Sequence, residues 1–116
     1  DDVAMNTTLI KIMVKRMLPN ASVFHATDGR RAVELVAEER VDFILMDLYM
    51  PNVDGLEATR TIREMTSDRQ IHLPIIGLTA DAQPSSLEQC RNAGMDDVVT
   101  KPLDMTELER VFREYL

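Results

Sequence analysis

Short apolar runs alternate along the chain with longer stretches in which apolar residues recur every three or four positions. Four runs, at 21–26, 43–46, 74–78 and 98–100, are too brief for helices and are expected as strands. Helical spacing covers 7–17, 31–39, 56–65, 84–93 and 105–115. Alternation of this kind marks βα units around a mostly parallel sheet, so the expected class is α/β, doubly wound. The last helix is the best defined: Asp104 can cap it, Glu107 completes a capping box, and Leu108, Val111, Phe112 and Tyr115 repeat on one face. Other boundaries have their own causes, with Asp28-Gly29 as a turn, Pro84 at a first helical position and Gly94 past a helix end. No apolar run stands ahead of Asp1-Asp2, although a sheet of this class is expected to begin with a strand.

Composition narrows the function more than the fold. The 116 residues suit one domain, and 45% hydrophobic with 28% charged residues is an ordinary globular balance. Thirteen Lys and Arg against 20 Asp and Glu give a formal charge of −7, which opposes attraction to phosphate backbones and argues against direct nucleic-acid binding. No apolar run approaches the roughly 18 residues of a membrane span, and Asp1-Asp2-Val3 lacks the basic and apolar regions of a signal peptide. The expected location is cytoplasmic, with a nuclear one also open and a membrane-anchored parent chain compatible; this domain itself is expected to make no membrane contact. Cys90 stands alone in a helical pattern and reads as packing. Met5, Met13, Met17, Met46 and Met65 fall on expected core faces, which favours gap-filling over a copper site. His25 and His72 have no metal-ligand spacing and no neighbouring nucleophile, so neither is assigned a catalytic role.

Three expected strands run straight into chemically capable side chains: one into Asp47, one into Thr79, one into Lys101. The C-terminal strand ends of an open parallel sheet share one edge, and ligands bind there. Asp1 and Asp2 precede a helix and are expected at a βα junction on that edge. Clustered carboxylates repel one another, and a hard divalent cation is their natural neutraliser, so Mg²⁺ is expected, with Mn²⁺ as a substitute. An ionised Asp can attack phosphorus to give an acyl phosphate, which makes Asp47 the best-placed nucleophile. Thr79 offers a hydroxyl to an arriving phosphoryl oxygen, and Lys101 an ammonium able to pair with Asp47 before transfer and with phosphate after it. Lys101-Pro102 suits a cis bond at a tight junction.

At this point the chain resembles the receiver domains of response regulators and hybrid sensor kinases. The resemblance rests on Asp1-Asp2, Met46-Asp47, Met50-Pro51-Asn52-Val53-Asp54-Gly55, Leu78-Thr79-Ala80, Gly94-Met95-Asp96-Asp97 and Lys101-Pro102-Leu103, and it covers residues 1–116. It implies a flavodoxin-like sheet ordered 2-1-3-4-5, whose first, central strand is missing here. The expectation is therefore a vacant central slot and a parent chain that continues upstream. The resemblance implies that Asp47 is the phosphoacceptor. It also implies that Asp2 and Asp47 ligate the metal directly, that the Tyr49 carbonyl adds a ligand, and that Asp1 assists through water. Thr79 and Lys101 become the switch residues, with the Ala80 amide beside them; Tyr49 and Asp81 read either as ordinary loop positions or, at the mouth of the site, as side chains that tune phosphate lifetime.

The implied partner is a helical domain bearing phosphohistidine, from a histidine kinase or a phosphotransfer protein. It is expected to dock where the Asp47 edge meets the first helix, on apolar surface that includes Ile10, Met13, Val14 and Met17. Many receivers carry Tyr or Phe where this chain has Val98, so the aromatic rotamer switch is expected to be absent. That departure, with Asn6, leans toward the receiver of a hybrid sensor histidine kinase in a phosphorelay. A stand-alone or N-terminal receiver of a response regulator, or a binding-only receiver, is the alternative. The domain would catalyse only its own phosphorylation and dephosphorylation. A haloacid-dehalogenase-like phosphohydrolase needs a second acid where Tyr49 stands, and a nucleotide or flavin module would want a glycine-rich phosphate loop, whereas the chain has 4 glycines and neither motif.

Overall fold

Each of the four apolar runs forms a parallel strand, and each helical pattern forms a helix. The computed structural model describes residues 2–48, 54–68, 72–80 and 83–116, with side chains from Thr7 onward. In chain order the elements are α1 (Asp2–Met17), β1 (Val23–Ala26), α2 (Gly29–Glu38), β2 (Phe43–Asp47), α3 (Gly55–Met65), β3 (Ile75–Thr79), α4 (Pro84–Ala93), β4 (Asp97–Thr100) and α5 (Met105–Tyr115). Helix α1 starts five residues before the apolar periodicity does. Residues 2–6 continue it because they include good helix formers, and an acid in a first turn is favoured by the helix dipole. Asp2 is therefore the first residue of a helix rather than part of a preceding junction.

The strands lie in the order β1-β2-β3-β4. This is the implied receiver order with its first strand removed, but the expected vacant slot is closed. β1 pairs directly with β2, Val23 opposite Phe43 and Ala26 opposite Met46. Direct pairing satisfies the backbone groups that a gap would have left bare, and unpaired buried amides are too costly to persist. Below the strands, the Asp42 amide donates to the Ser22 carbonyl at 2.8 Å, and the Ser22 amide donates to the Asp42 carboxylate at 2.9 Å.

Helices cover both faces of the sheet, which is why β2 is apolar along its length rather than alternating. Ile44 and Met46 join Ala32, Val36, Ala58 and Ile62 in one layer, beneath α2 and α3. Phe43 and Leu45 point the other way, into a layer with Ile10, Met13, Leu108, Val111 and Phe112 from α1 and α5. The Phe43 and Phe112 rings meet edge to face, 5.2 Å between centroids. Burying a side chain of this size is worth about 2–3 kcal/mol, so these layers dominate stability. Ile10 and Met13, counted as docking surface in the sequence, are buried here, whereas Ile12 is exposed. Met13 and Met46 fill core gaps as expected; Met65 does not, being exposed at the end of α3. Cys90 is buried against the first layer, and burial pushes its thiol up from the usual range.

Caps fix the helix ends that face the site. Asp54 accepts from the Glu57 amide at the start of α3, and Asp104 from the Glu107 amide at the start of α5, both at 2.8 Å. Gly94, at φ 110°, ends α4 in a conformation that side-chain-bearing residues avoid.

Candidate functional site

Parallel strands of matched length bring their C-terminal residues to one edge. Asp47 is the last residue of β2 and Thr79 the last of β3, and both are 2% exposed. Thr79 stands opposite Thr100 in the register, so Lys101 emerges beside it, and the Lys101 amide donates to the Thr79 carbonyl at 2.7 Å. From there the Lys101 ammonium reaches Asp47 Oδ2 at 3.0 Å. The Lys101-Pro102 bond is cis. Asp47, Thr79 and Lys101 thus come together as the sequence implied, and exposed Ala80 follows Thr79 directly.

The carboxylate of Asp47 is almost wholly withdrawn from water, whereas the Lys101 side chain is 21% exposed. A buried charge of this kind has to be paired, and removing one member of such a pair commonly costs about 3–5 kcal/mol. The ammonium is a compact charge on a flexible stem, so it can follow negative charge as that charge moves.

Helix α3 crowds the other side of Asp47. A Cβ at Gly55 would stand 2.6 Å from the Asp47 carbonyl oxygen and 3.1 Å from the Leu48 Cα. Only glycine lets the helix start so close to the end of β2. Thr59 Oγ1 then donates to the Gly55 carbonyl at 2.7 Å, and the Leu48 amide to the Leu78 carbonyl at 3.1 Å, which fixes the chain on both sides of the acid.

Asp1, Tyr49, Asp81 and the side chains of Asp2 and Asn6 lie outside the described residues. Among the described residues no three acidic, histidine or cysteine side chains form a metal cluster. Asp47 is the described member of the expected metal set. The expected set offers oxygen ligands only and includes one buried carboxylate, and that chemistry suits a hard divalent cation.

His25 received no role in the sequence, and the structure brings it close to this edge. Its Nδ1 lies 3.1 Å from Thr7 Oγ1 on α1. Burial lowers its proton affinity, Asp47 counteracts that, and Lys101 adds to it. No spacing rule could have found this residue, because its position follows from β1 pairing directly with β2.

Residues 1–113 match the sequence profile described as the response regulator receiver domain. The chain is 38% identical over 112 residues to the sensor protein GacS of Pseudomonas syringae pv. syringae, covering 96% of this chain and 12% of that protein. Among solved structures it is similar to the receiver domain of the sensor histidine kinase PA1611 from Pseudomonas aeruginosa PAO1, which holds a magnesium ion in its active site cleft. That match has a TM-score of 0.78 at 38% identity and covers 97% of this chain and 88% of the other. The fold also matches the co-crystal of the Saccharomyces cerevisiae histidine phosphotransfer protein Ypd1 and the receiver domain of Ssk1, with a TM-score of 0.86 at 24% identity over 99% of this chain and 83% of that one.

Proposed function

The chain belongs to the response regulator receiver domain family, and from that premise we propose that Asp47 accepts a phosphoryl group from a phosphohistidine and so relays a signal. The carrying observation is the buried Asp47 carboxylate held 3.0 Å from the Lys101 ammonium at the ligand-binding edge of the sheet. An Asp47 oxygen attacks phosphorus, the bond from phosphorus to the donor imidazole nitrogen breaks, and that nitrogen keeps the electron pair. Lys101 turns from the carboxylate to the phosphoryl oxygens, whose charge it offsets. The Thr79 hydroxyl and the Ala80 amide donate to the same oxygens. Hydrolysis or onward transfer resets the domain, which catalyses its own modification and turns over no separate metabolite.

Asp47 and Asp2, the Tyr49 carbonyl and, through water, Asp1 would hold Mg²⁺, or Mn²⁺ in its place, and the ion would neutralise charge on the transferring oxygens. The magnesium in the related Pseudomonas aeruginosa receiver supports the choice of Mg²⁺. The donor is a helical domain of a histidine kinase or phosphotransfer protein; a yeast receiver of the same fold was crystallised with such a protein. We read the parent as a hybrid sensor histidine kinase, which the similarity to 12% of the length of the sensor protein GacS supports, and its place of action as the cytoplasm.

The test is incubation with acetyl phosphate and Mg²⁺ followed by intact-protein mass spectrometry. One phosphoryl group is expected on the wild-type chain and none on Asp47→Asn. Equal labelling of the two would move the phosphoacceptor elsewhere.

A further inference from the structure

Charge is spread unevenly along the chain. All 20 Asp and Glu lie outside residues 3–27, a stretch that holds Lys11, Lys15 and Arg16. An acidic molecule thus carries one basic segment, and that segment folds into α1 and β1.

β1 is an edge strand, with β2 on one side and no strand on the other among the described residues. The Ser22 carbonyl accepts the Asp42 amide, and backbone direction alternates along a strand. Phe24 and Ala26 therefore also face β2, while Val23 and His25 turn their amides and carbonyls to the open side. Such an edge is a template for another strand, and proteins ordinarily blunt it with charge or proline. The strand itself, Val23-Phe24-His25-Ala26, has no proline, lysine or acid.

A groove of about 600 Å³ runs between α1 and this strand, with Ile10, Val14 and Val23 among its apolar lining and Lys11 and Lys15 beside them. No residue of β2 lines it, so it opens at the outer edge. Lys11 and Lys15 are exposed, lie one helical turn apart and form no ion pair among the described residues. An open backbone edge is satisfied by an extended chain, an apolar lining by side chains at alternate positions, and two lysines by carboxylates.

We propose that this groove binds an extended acidic segment of a partner protein, which adds to β1 as a further strand and alternates apolar with acidic side chains. A second copy of the chain is disfavoured, because symmetric pairing of the two edges would set the same lysines against each other on molecules that each carry −7. The overall charge does not forbid an acidic ligand. Charges beyond a Debye length of about 8 Å are screened in physiological salt, so the nearest ones decide. The groove includes none of Asp47, Thr79 and Lys101, and the inference goes beyond the phosphoacceptor reading without resting on it.

The experiment is fluorescence anisotropy of a fluorescein-labelled peptide in which valine and glutamate alternate, titrated with the whole chain, followed by amide hydrogen exchange of the complex. The peptide is expected to bind saturably and more weakly as salt rises, and a peptide with lysine in place of glutamate is expected not to bind. Exchange at the Val23 and His25 amides should slow on binding, whereas Phe24 and Ala26, already facing β2, should change little. Lys11→Glu and Lys15→Glu should each weaken binding about five-fold, the scale of an exposed ion pair. Arg91→Glu, the same charge change on α4, should leave binding unaltered, and all three variants should be labelled by acetyl phosphate like the wild type. Absence of saturable binding overturns the proposal, as does binding that the lysine peptide matches, that Arg91→Glu weakens equally, or that leaves Val23 and His25 exchanging freely. Protection of those two amides without peptide, at high protein concentration or on phosphatidylserine vesicles, overturns it in favour of a second copy or a membrane surface. An Asp47 that takes no phosphate in a chain that binds the peptide as expected overturns the phosphoacceptor reading and supports this one.

Discussion

At the C-terminal edge of the sheet, Asp47 meets the Lys101 ammonium at 3.0 Å. At the opposite edge, Asp96 meets the Arg63 guanidinium at 2.8 Å, the His72 imidazole at 2.6 Å and the Ile75 amide at 2.9 Å. Arg63 reaches further, donating to the Gly94 carbonyl at 2.8 Å and the Leu73 carbonyl at 2.6 Å, so α3, the end of α4 and the entry to β3 are pinned by one fork. Beside it, Arg110 joins Asp97 to Glu107 and Glu114, and the Tyr115 hydroxyl donates to Asp97. Each edge places an acid beside a cation. One uses a planar fork whose three nitrogens are all engaged, and the other a point charge on a flexible stem. A rigid fork holds elements in register, whereas a point charge can exchange its partner when new charge arrives. Charge pairing alone therefore does not distinguish the two edges; the kind of cation does.

The comparison breaks most completely at Asp47. Asp47→Asn should reduce phosphoryl incorporation to background, whereas Asp96→Ala should leave labelling per folded molecule intact and cost about 3 kcal/mol of stability. Lys101→Ala comes next, with labelling slowed about 100-fold, the scale for a lost donor to developing charge. Single-turnover labelling at saturating acetyl phosphate measures it. Gly55→Ala should destabilise by about 1–3 kcal/mol, because the added methyl group meets the backbone of Asp47 and Leu48, which cannot yield as a side-chain tip would. The effect at Tyr115 is the smallest. Partial burial and the Asp97 carboxylate push its hydroxyl up from 10 to about 12. The folded state thus holds that proton more tightly than the unfolded chain does. Its contribution is complete below pH 10 and fades as pH rises toward 12. Urea titrations of wild type and Tyr115→Phe across that window should differ in slope, with the variant flatter.

The two edges were not equally legible. Asp47, Thr79 and Lys101 could be found because each ends or follows an apolar run, and strand ends share an edge in this class of sheet. The staple at the other edge carries no such mark. Arg63 reads as one more polar residue on an amphipathic helix, and its contacts are with backbone carbonyls whose positions only the tertiary fold defines. Asp104 was legible as a cap, but Glu107 turns its carboxylate to Arg110, a preference that local spacing cannot reveal. The direct pairing of β1 with β2 was missed because the family order placed a strand between them. Pairing depends on which edges meet, and composition carries no record of that.

The hydrogen bond from the Lys101 amide to the Thr79 carbonyl, at 2.7 Å, ties these two residues through their backbones. Their relative spacing is thereby a constant of the molecule, and only the side chains and the loops beyond them are variables. Such a domain resembles a vice with a fixed frame and moving jaws. Its Lys101 amide should exchange with deuterium slowly and at the same rate before and after phosphorylation, a fiducial mark against which motion elsewhere can be timed.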